Sequence, residues 1–159
     1  MSQRVRVYEL MTRNPLTASP NDDLEKVVQM MNQFRVGSII IVDDGRPLGI
    51  VTERDILVRV VAERKLAIET LVKDVMSKPV LTIPEDAYVE AAAKKMVKER
   101  VKRLAVTRNG LLVGIITSAD IVKAVAAGLL TQEVYLYLSD IFKKPPLSET
   151  VKRRGASHV

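Results

Sequence analysis

A threonine followed three positions later by an aspartate is a pair that can hold a phosphorylated sugar. The chain carries it twice, as Thr52 with Asp55 and as Thr117 with Asp120. A threonine hydroxyl donates to a phosphate oxygen or accepts from a sugar hydroxyl. An ionised aspartate accepts two hydrogen bonds, which matches the neighbouring hydroxyls of a ribose, and an acid does this work in dinucleotide folds. A helix N-terminus at the threonine adds backbone N–H groups and a positive dipole end suited to an anion. Three positions along a helix bring the acid back to the same face. One copy of the pair also reads as a helix cap with an acid in its first turn. Two copies in register point to two copies of a site.

The register is that of a tandem duplication. Gly49-Ile50-Val51-Thr52-Glu53-Arg54-Asp55-Ile56 returns as Gly114-Ile115-Ile116-Thr117-Ser118-Ala119-Asp120-Ile121, 65 residues later (49 to 114). Met11 and Met76, Thr17 and Thr82, Met31 and Met96, and Gly45 and Gly110 keep the same offset. A repeat of this length is one supersecondary unit, and neighbouring units bury faces that neither can bury alone. A unit of roughly 60 residues is marginal by itself, so the two are expected to share one core.

The elements that must position these pairs are legible in each repeat. Asn21-Asp22-Asp23 precedes Leu24, Val27, Val28, Met31 and Phe34 at helical spacing. Val36 to Val42 reads as a buried strand, Asp43-Asp44-Gly45-Arg46 as a hairpin turn, and Leu48 to Val51 as the returning strand. Thr52 then caps a helix over about Glu53 to Arg64. In the second repeat Pro84-Glu85-Asp86 opens a helix through Val89, Ala92, Ala93, Met96 and Val97. Leu104 to Thr107 and Leu112 to Ile116 are strands about the turn Arg108-Asn109-Gly110, and Thr117 caps a helix ending near Gly128. Short stretches ending in Met, Val7 to Met11 and Val72 to Met76, lead into the repeats. Beyond them Leu129 to Phe142 reads as an additional helix with Leu130, Val134, Leu138 and Ile141 on one face, stopped by Pro145-Pro146. The chain thus divides into 5–65, 66–127, a helix over 128–142 and a basic tail over 143–159.

Composition narrows the classes. The 159 residues are 47% hydrophobic and 28% charged, which is ordinary for a globular protein. Without a cysteine there is no disulfide framework and no Cys-based zinc site, and a cytoplasmic location is expected. No signal peptide and no apolar run long enough for a membrane span are seen. The net charge of +6 is concentrated after residue 142, where Lys143, Lys144, Lys152, Arg153 and Arg154 stand against Glu149 alone. Such a tail reads either as a solvated end or as a contact for nucleic acid, anionic lipid or an acidic partner.

The order β-α-β-β-α, present twice and ending each time in Gly-h-h-Thr-x-x-Asp with h apolar, resembles the CBS domain, and the pair resembles a Bateman module. The resemblance covers roughly Val5 to Ala127. It implies an α/β (α+β) fold, with tandem β-α-β-β-α repeats packed about a pseudo-two-fold axis and, here, a C-terminal helix added. It implies two clefts between the repeats that bind an adenosine-type ligand: AMP first, with ADP, ATP or S-adenosylmethionine as further ligands. A homodimer of pairs, and a regulatory role read out by a separate effector protein, follow from the same resemblance.

The resemblance also implies that each cleft crosses the repeats. In the first, Thr52, Arg54 and Asp55 face Val75, Met76, Ser77, Pro79 and Val80, with Val101, Lys102 and Arg103 beside them. In the second, Thr117, Ser118 and Asp120 face Leu10, Met11, Thr12, Asn14, Pro15 and Leu16, with Val36, Gly37 and Ser38. Apolar residues such as Val36 and Val101 would sandwich the adenine. Arginine engages phosphate in bidentate fashion. The first cleft has Arg54 and Lys102-Arg103 where the second has Ala119 and Gly37-Ser38, so a phosphorylated nucleotide is expected to prefer the first. Arg13 and Arg35 are the candidates for charge near the second. Asn14 and Asp22 read mainly as turn or cap residues.

No catalytic constellation accompanies these residues. His158, the only histidine, lies at the end of the chain, and no Gly-x-x-x-x-Gly-Lys is present. Asp43-Asp44 beside Gly45 reads as turn chemistry. Glu53 and Asp55, two apart on a helix, do not share a face. The expectation is a binding protein without catalytic residues, metal or catalytic cofactor. The alternative is a nucleic-acid-binding protein acting through its basic tail, with the repeats as scaffold.

Overall fold

The structure, a computed structural model, describes residues 4–142. The basic tail and His158 lie outside the described residues. A short helix α1 (Val7–Leu10) and strands β1 (Thr12–Arg13) and β2 (Thr17–Ala18) lead into α2 (Leu24–Phe34), β3 (Ser38–Asp43), β4 (Arg46–Thr52) and α3 (Glu53–Ile56). The second half follows with β5 (Thr82–Pro84), α4 (Val89–Glu99), β6 (Arg103–Arg108), β7 (Leu111–Thr117) and α5 (Ser118–Ala126), and α6 (Gln132–Phe142) closes the described chain. This mixed α/β order is the one expected.

The duplication extends to backbone detail in the hairpins. β2 runs parallel to β3 and β5 parallel to β6, while β3–β4 and β6–β7 are antiparallel hairpins. Ser38 pairs with Thr52 as Arg103 pairs with Thr117, and each hairpin is bulged at the same place, after Ile41 and after Val106. The hairpin turns have positive φ at both central residues, Asp44 and Gly45, then Asn109 and Gly110. That conformation matches strand twist and selects Asp-Gly and Asn-Gly. α2 and α4 both end on a left-handed arginine, Arg35 at φ 51° and Arg100 at φ 55°.

The expected single core is corrected to two. One gathers Ile83, Met96, Leu104, Ile116 and Ile121 of the second repeat around Val7 and Met11 of the first. The other gathers Leu24, Val27, Ile39, Ile41 and Val51 of the first repeat around Val72, Val75 and Met76 of the second. The physical reason is an exchange of leading segments. β1 adds antiparallel to β7, with Thr12 opposite Ile115. Ser77 likewise bridges Ile50, exchanging N–H···O bonds of 3.0 and 2.9 Å. Each repeat therefore holds a sheet edge and buried side chains belonging to the other.

Three boundaries differ from the sequence reading. The helix read over Glu53 to Arg64 is α-helical only to Ile56, then widens into a π turn over Leu57–Val61, where Ala62 N–H bonds to Leu57 and Lys65 N–H to Val60. α4 begins at Val89 rather than near Pro84: Pro84 closes β5, and Val89 N–H is taken by Val5. The last helix starts at Gln132. Its Val134 and Leu138 are buried against α4 and α5, with Leu130 just before it, while Tyr135 and Tyr137 are exposed; the side chain of Ile141, expected on the same face, lies outside the described residues.

Candidate functional site

Each Thr-x-x-Asp pair sits where a hairpin strand turns into a helix, and the threonine side chain accepts from the aspartate N–H: Asp55 to Thr52 at 3.2 Å, Asp120 to Thr117 at 3.1 Å. The aspartates reciprocate, accepting from the threonine N–H at 2.9 Å in both copies. This is a closed capping box. The next backbone N–H is also engaged, Glu53 to Gly37 and Ser118 to Lys102. Most of the N–H groups that the sequence reading offered to an anion are thus satisfied by the protein itself.

A cavity of about 760 Å³ opens beside the first corner. Thr52 and Arg54 form one side. Ser77, Pro79 and Val80 of the exchanged leading segment face them, and Val101, Lys102 and Arg103 close the end. These are eight of the residues expected in the first cleft. Asp55, Val75 and Met76 are not on its wall. They are buried behind it, Val75 and Met76 in the core and Asp55 in its hydrogen bonds. Glu53, Leu81, Arg100, Gly37 and Ile50 line the cavity although sequence reasoning did not place them there. Arg100 is the left-handed residue ending α4, which the sequence reading did not single out.

A second cavity, of about 390 Å³, lies at the equivalent corner. Thr117 meets Thr12, Asn14, Pro15 and Leu16 of the first leading segment, with Val36, Gly37 and Ser38, all as expected. Leu10, Met11, Ser118 and Asp120 are not on its wall; Met11 and Ser118 are buried. Ile40, Ile115 and Arg103 were not expected there. Arg13 and Arg35 do not reach it. Arg103 and Gly37 line both cavities, so the clefts meet at a common wall.

The corners differ in how their acids are held. Asp55 Oδ2 accepts from the Thr52 hydroxyl at 3.0 Å as well as its N–H, and Oδ1 accepts from Ser77 Oγ at 2.9 Å. Arg59 Nη1 lies 3.8 Å from Oδ1 and donates to the carbonyls of Val75 and Met76 at 2.7 and 3.0 Å, tying the leading segment to the corner. Ala124 stands where Arg59 would be, so the repeat carried no signal for this brace. Asp120 accepts only from Thr117 N–H among the described residues. Its second carboxylate oxygen has no such partner.

The described residues include no group of three or more His, Asp or Glu arranged to hold a metal ion, and no helix long and apolar enough to cross a membrane.

Residues 7–62 and 72–127 each match the family model of the CBS domain. An uncharacterised protein of Methanopyrus kandleri is 38% identical over 121 residues, covering 75% of this chain and 62% of its own. The CBS domain-containing protein YhcV of Bacillus subtilis is 31% identical over 115 residues, covering 72% and 81%. The chain therefore spans less than two thirds of the first relative and most of the second. Among solved structures, the CBS domain pair of protein MJ0100 in complex with methylthioadenosine and S-adenosyl-L-methionine superposes with a TM-score of 0.71, at 26% identity, over 79% of this chain and 99% of that one.

Proposed function

The chain belongs to the CBS domain family, and from that premise we propose that it is a regulatory module that senses an adenine nucleotide. One observation carries the reading: two cavities at equivalent positions, each walled by the corner of one repeat and the leading segment of the other. A ligand in either cleft touches both repeats. It therefore binds best to one relative setting of them and shifts the population toward that setting.

The division of labour within a cleft follows from its chemistry. In the first, Val80, Leu81 and Val101 supply apolar surface for an adenine, and Arg54, Lys102 and Arg103 supply cationic groups for phosphate. In the second, Leu16, Val36 and Ile115 supply the apolar wall. AMP is the first ligand to consider, and ADP, ATP and S-adenosylmethionine follow. The adenosine ligands of the solved CBS pair support the class. The proposed signal is a change in the geometry of a homodimer or in affinity for an effector protein, not a reaction.

Isothermal titration with AMP, ADP, ATP and S-adenosylmethionine tests this, using the unmodified chain, Arg54→Ala and Asp120→Ala. Binding of AMP that weakens about tenfold or more in Arg54→Ala is expected, the loss of one charge-assisted hydrogen bond. An absence of heat with all four ligands would overturn the nucleotide reading. Loss in Asp120→Ala alone would keep the sensor and make the second cleft the principal site.

A further inference from the structure

Arg103 stands on the wall common to both cavities, and among the described residues it is the only guanidinium there. At the equivalent position the first repeat has Ser38, so the duplication supplies two clefts and one arginine between them. Its backbone pairs across the hairpin with Thr117, the corner residue of the second cleft, while the residue also lines the first. A terminal nitrogen lies 3.7 Å from the point where a Cβ on Gly37 would stand, and the Glu53 carboxylate lies 3.6 Å from that same point. Gly37 itself lines both cavities, so this guanidinium stands at the wall that they share. Among the described residues the Arg103 guanidinium has no hydrogen-bonded or ion-paired partner. A half-buried guanidinium without a partner is available to an anion in either direction.

We infer that Arg103 couples the two clefts: phosphate-bearing ligands compete for its guanidinium and bind the clefts anticooperatively. The inference rests on the nucleotide reading above and adds its regulation. A phosphate in one cleft pairs with Arg103 and neutralises it. The second phosphate then meets a cleft in which Arg103 is already neutralised, with a like charge beyond the shared wall. A neutral adenosine makes no such demand and fills the clefts independently. Coupling of about tenfold is expected, within the ordinary range for linked sites.

Titration of single-cleft chains separates coupling from an intrinsic difference between clefts. Val80→Trp obstructs the first cavity and Val36→Trp the second. Each single-cleft chain is expected to bind one AMP and to lose about tenfold when Arg103→Gln is added. In the unmodified chain the second AMP should bind about tenfold more weakly than in the weaker single-cleft chain, while adenosine shows no such gap. Indifference of either single-cleft chain to Arg103→Gln overturns the coupling, as does a second AMP that binds the unmodified chain undiminished. Both results leave the nucleotide reading intact, whereas failure of AMP and adenosine to bind any chain overturns both. Should a tryptophan variant fail to fold, the unmodified chain and Arg103→Gln suffice: an unchanged ratio of stepwise AMP constants between them overturns the inference.

Discussion

The Ser77 hydroxyl donates to Asp55 Oδ1 at 2.9 Å, so a residue of the second repeat completes the hydrogen bonding of the acid that caps a helix in the first. The second corner has no counterpart: Thr12 occupies the equivalent position and makes no such bond to Asp120 among the described residues. Two corners alike in sequence are therefore unlike in what holds their acids.

Ser77→Ala removes that bond and leaves a buried carboxylate oxygen without its donor. The expected loss is about 1 kcal/mol, which for a domain of this size lowers Tm by about 3 °C. Thr12→Val, which takes the hydroxyl from the equivalent position, should leave Tm nearly unchanged. Thermal melts followed by circular dichroism compare the two, and equal losses would refute the asymmetry.

Gly49 and Gly114 are fixed by close approach. A Cβ on Gly49 would fall 2.8 Å from both Met76 Sδ and Ser77 O, and one on Gly114 would fall 2.5 Å from Met11 Sδ and 2.9 Å from Thr12 O. The methionine ends can swing aside, but the carbonyls belong to the exchanged leading segments and are tied by backbone bonds. Gly49→Ala and Gly114→Ala should each cost about 1–3 kcal/mol through overpacking. Gly37→Ala, whose Cβ meets nothing closer than 3.6 Å, should cost well under that. Urea unfolding of the three variants ranks them directly.

Stability should fall in acid for two identifiable reasons. The Ser19 backbone N–H, with Lys26 assisting, holds the Asp22 carboxyl below its ordinary 3.8 against the opposing effect of burial. Two hydrogen bonds from Arg108 hold Glu85 below its ordinary 4.5. Both folded values are depressed, so the unfolded chain takes up these protons first. Their contribution is present above the ordinary values and is lost as pH falls through the folded ones. Melts between pH 7 and 3 should show Tm declining below about pH 4.5, with a shallower decline in the double variant Asp22→Asn, Glu85→Gln. An unchanged acid limb in that variant would assign the decline to other groups.

The hairpins, their Asp-Gly and Asn-Gly turns and the capping threonines were legible because local chemistry specifies them: φ > 0 at two turn residues, a hydroxyl before a helix. The crossing of the clefts was legible only through family resemblance, because nothing local in Thr12 or Ser77 names Ile115 or Ile50 as its partner. Arg59 escaped notice because the second repeat has Ala124 in its place, and a repeat alignment reveals what is shared; Glu53 was weighed only against Asp55 on its own helix. The burial of Asp55 escaped for a related reason. Its extra donor, Ser77, comes from the other repeat, and the sequence offers no measure of that distance.

The C-terminal helix gives a clean contrast between its faces. Leu138 is fully buried against α4 and α5, while Leu136 is 67% exposed. Leu138→Ala should cost about 3 kcal/mol, the usual range for emptying a buried leucine site. Leu136→Ala should stay within about 0.5 kcal/mol. Chemical denaturation decides, and comparable losses would mean that the outer face is covered by another molecule in solution.

The two motif aspartates should differ in the same way, and the difference governs how binding data are read. Asp55 accepts three hydrogen bonds besides its ion pair with Arg59, and it is buried. Asp120 accepts one. At roughly 1 kcal/mol per bond, with a further penalty for stranding the Ser77 hydroxyl, Asp55→Ala should cost about 3 kcal/mol and Asp120→Ala about 1 kcal/mol. A drop in ligand affinity in Asp55→Ala therefore mixes loss of a contact with loosening of the corner and of the leading segment that it holds. The same drop in Asp120→Ala carries less of that loosening, since Asp120 accepts a single hydrogen bond. Melting both variants without ligand separates the effects. Equal destabilisation would show that the further partners of Asp55, namely the Thr52 hydroxyl, Ser77 and Arg59, add nothing to the first corner.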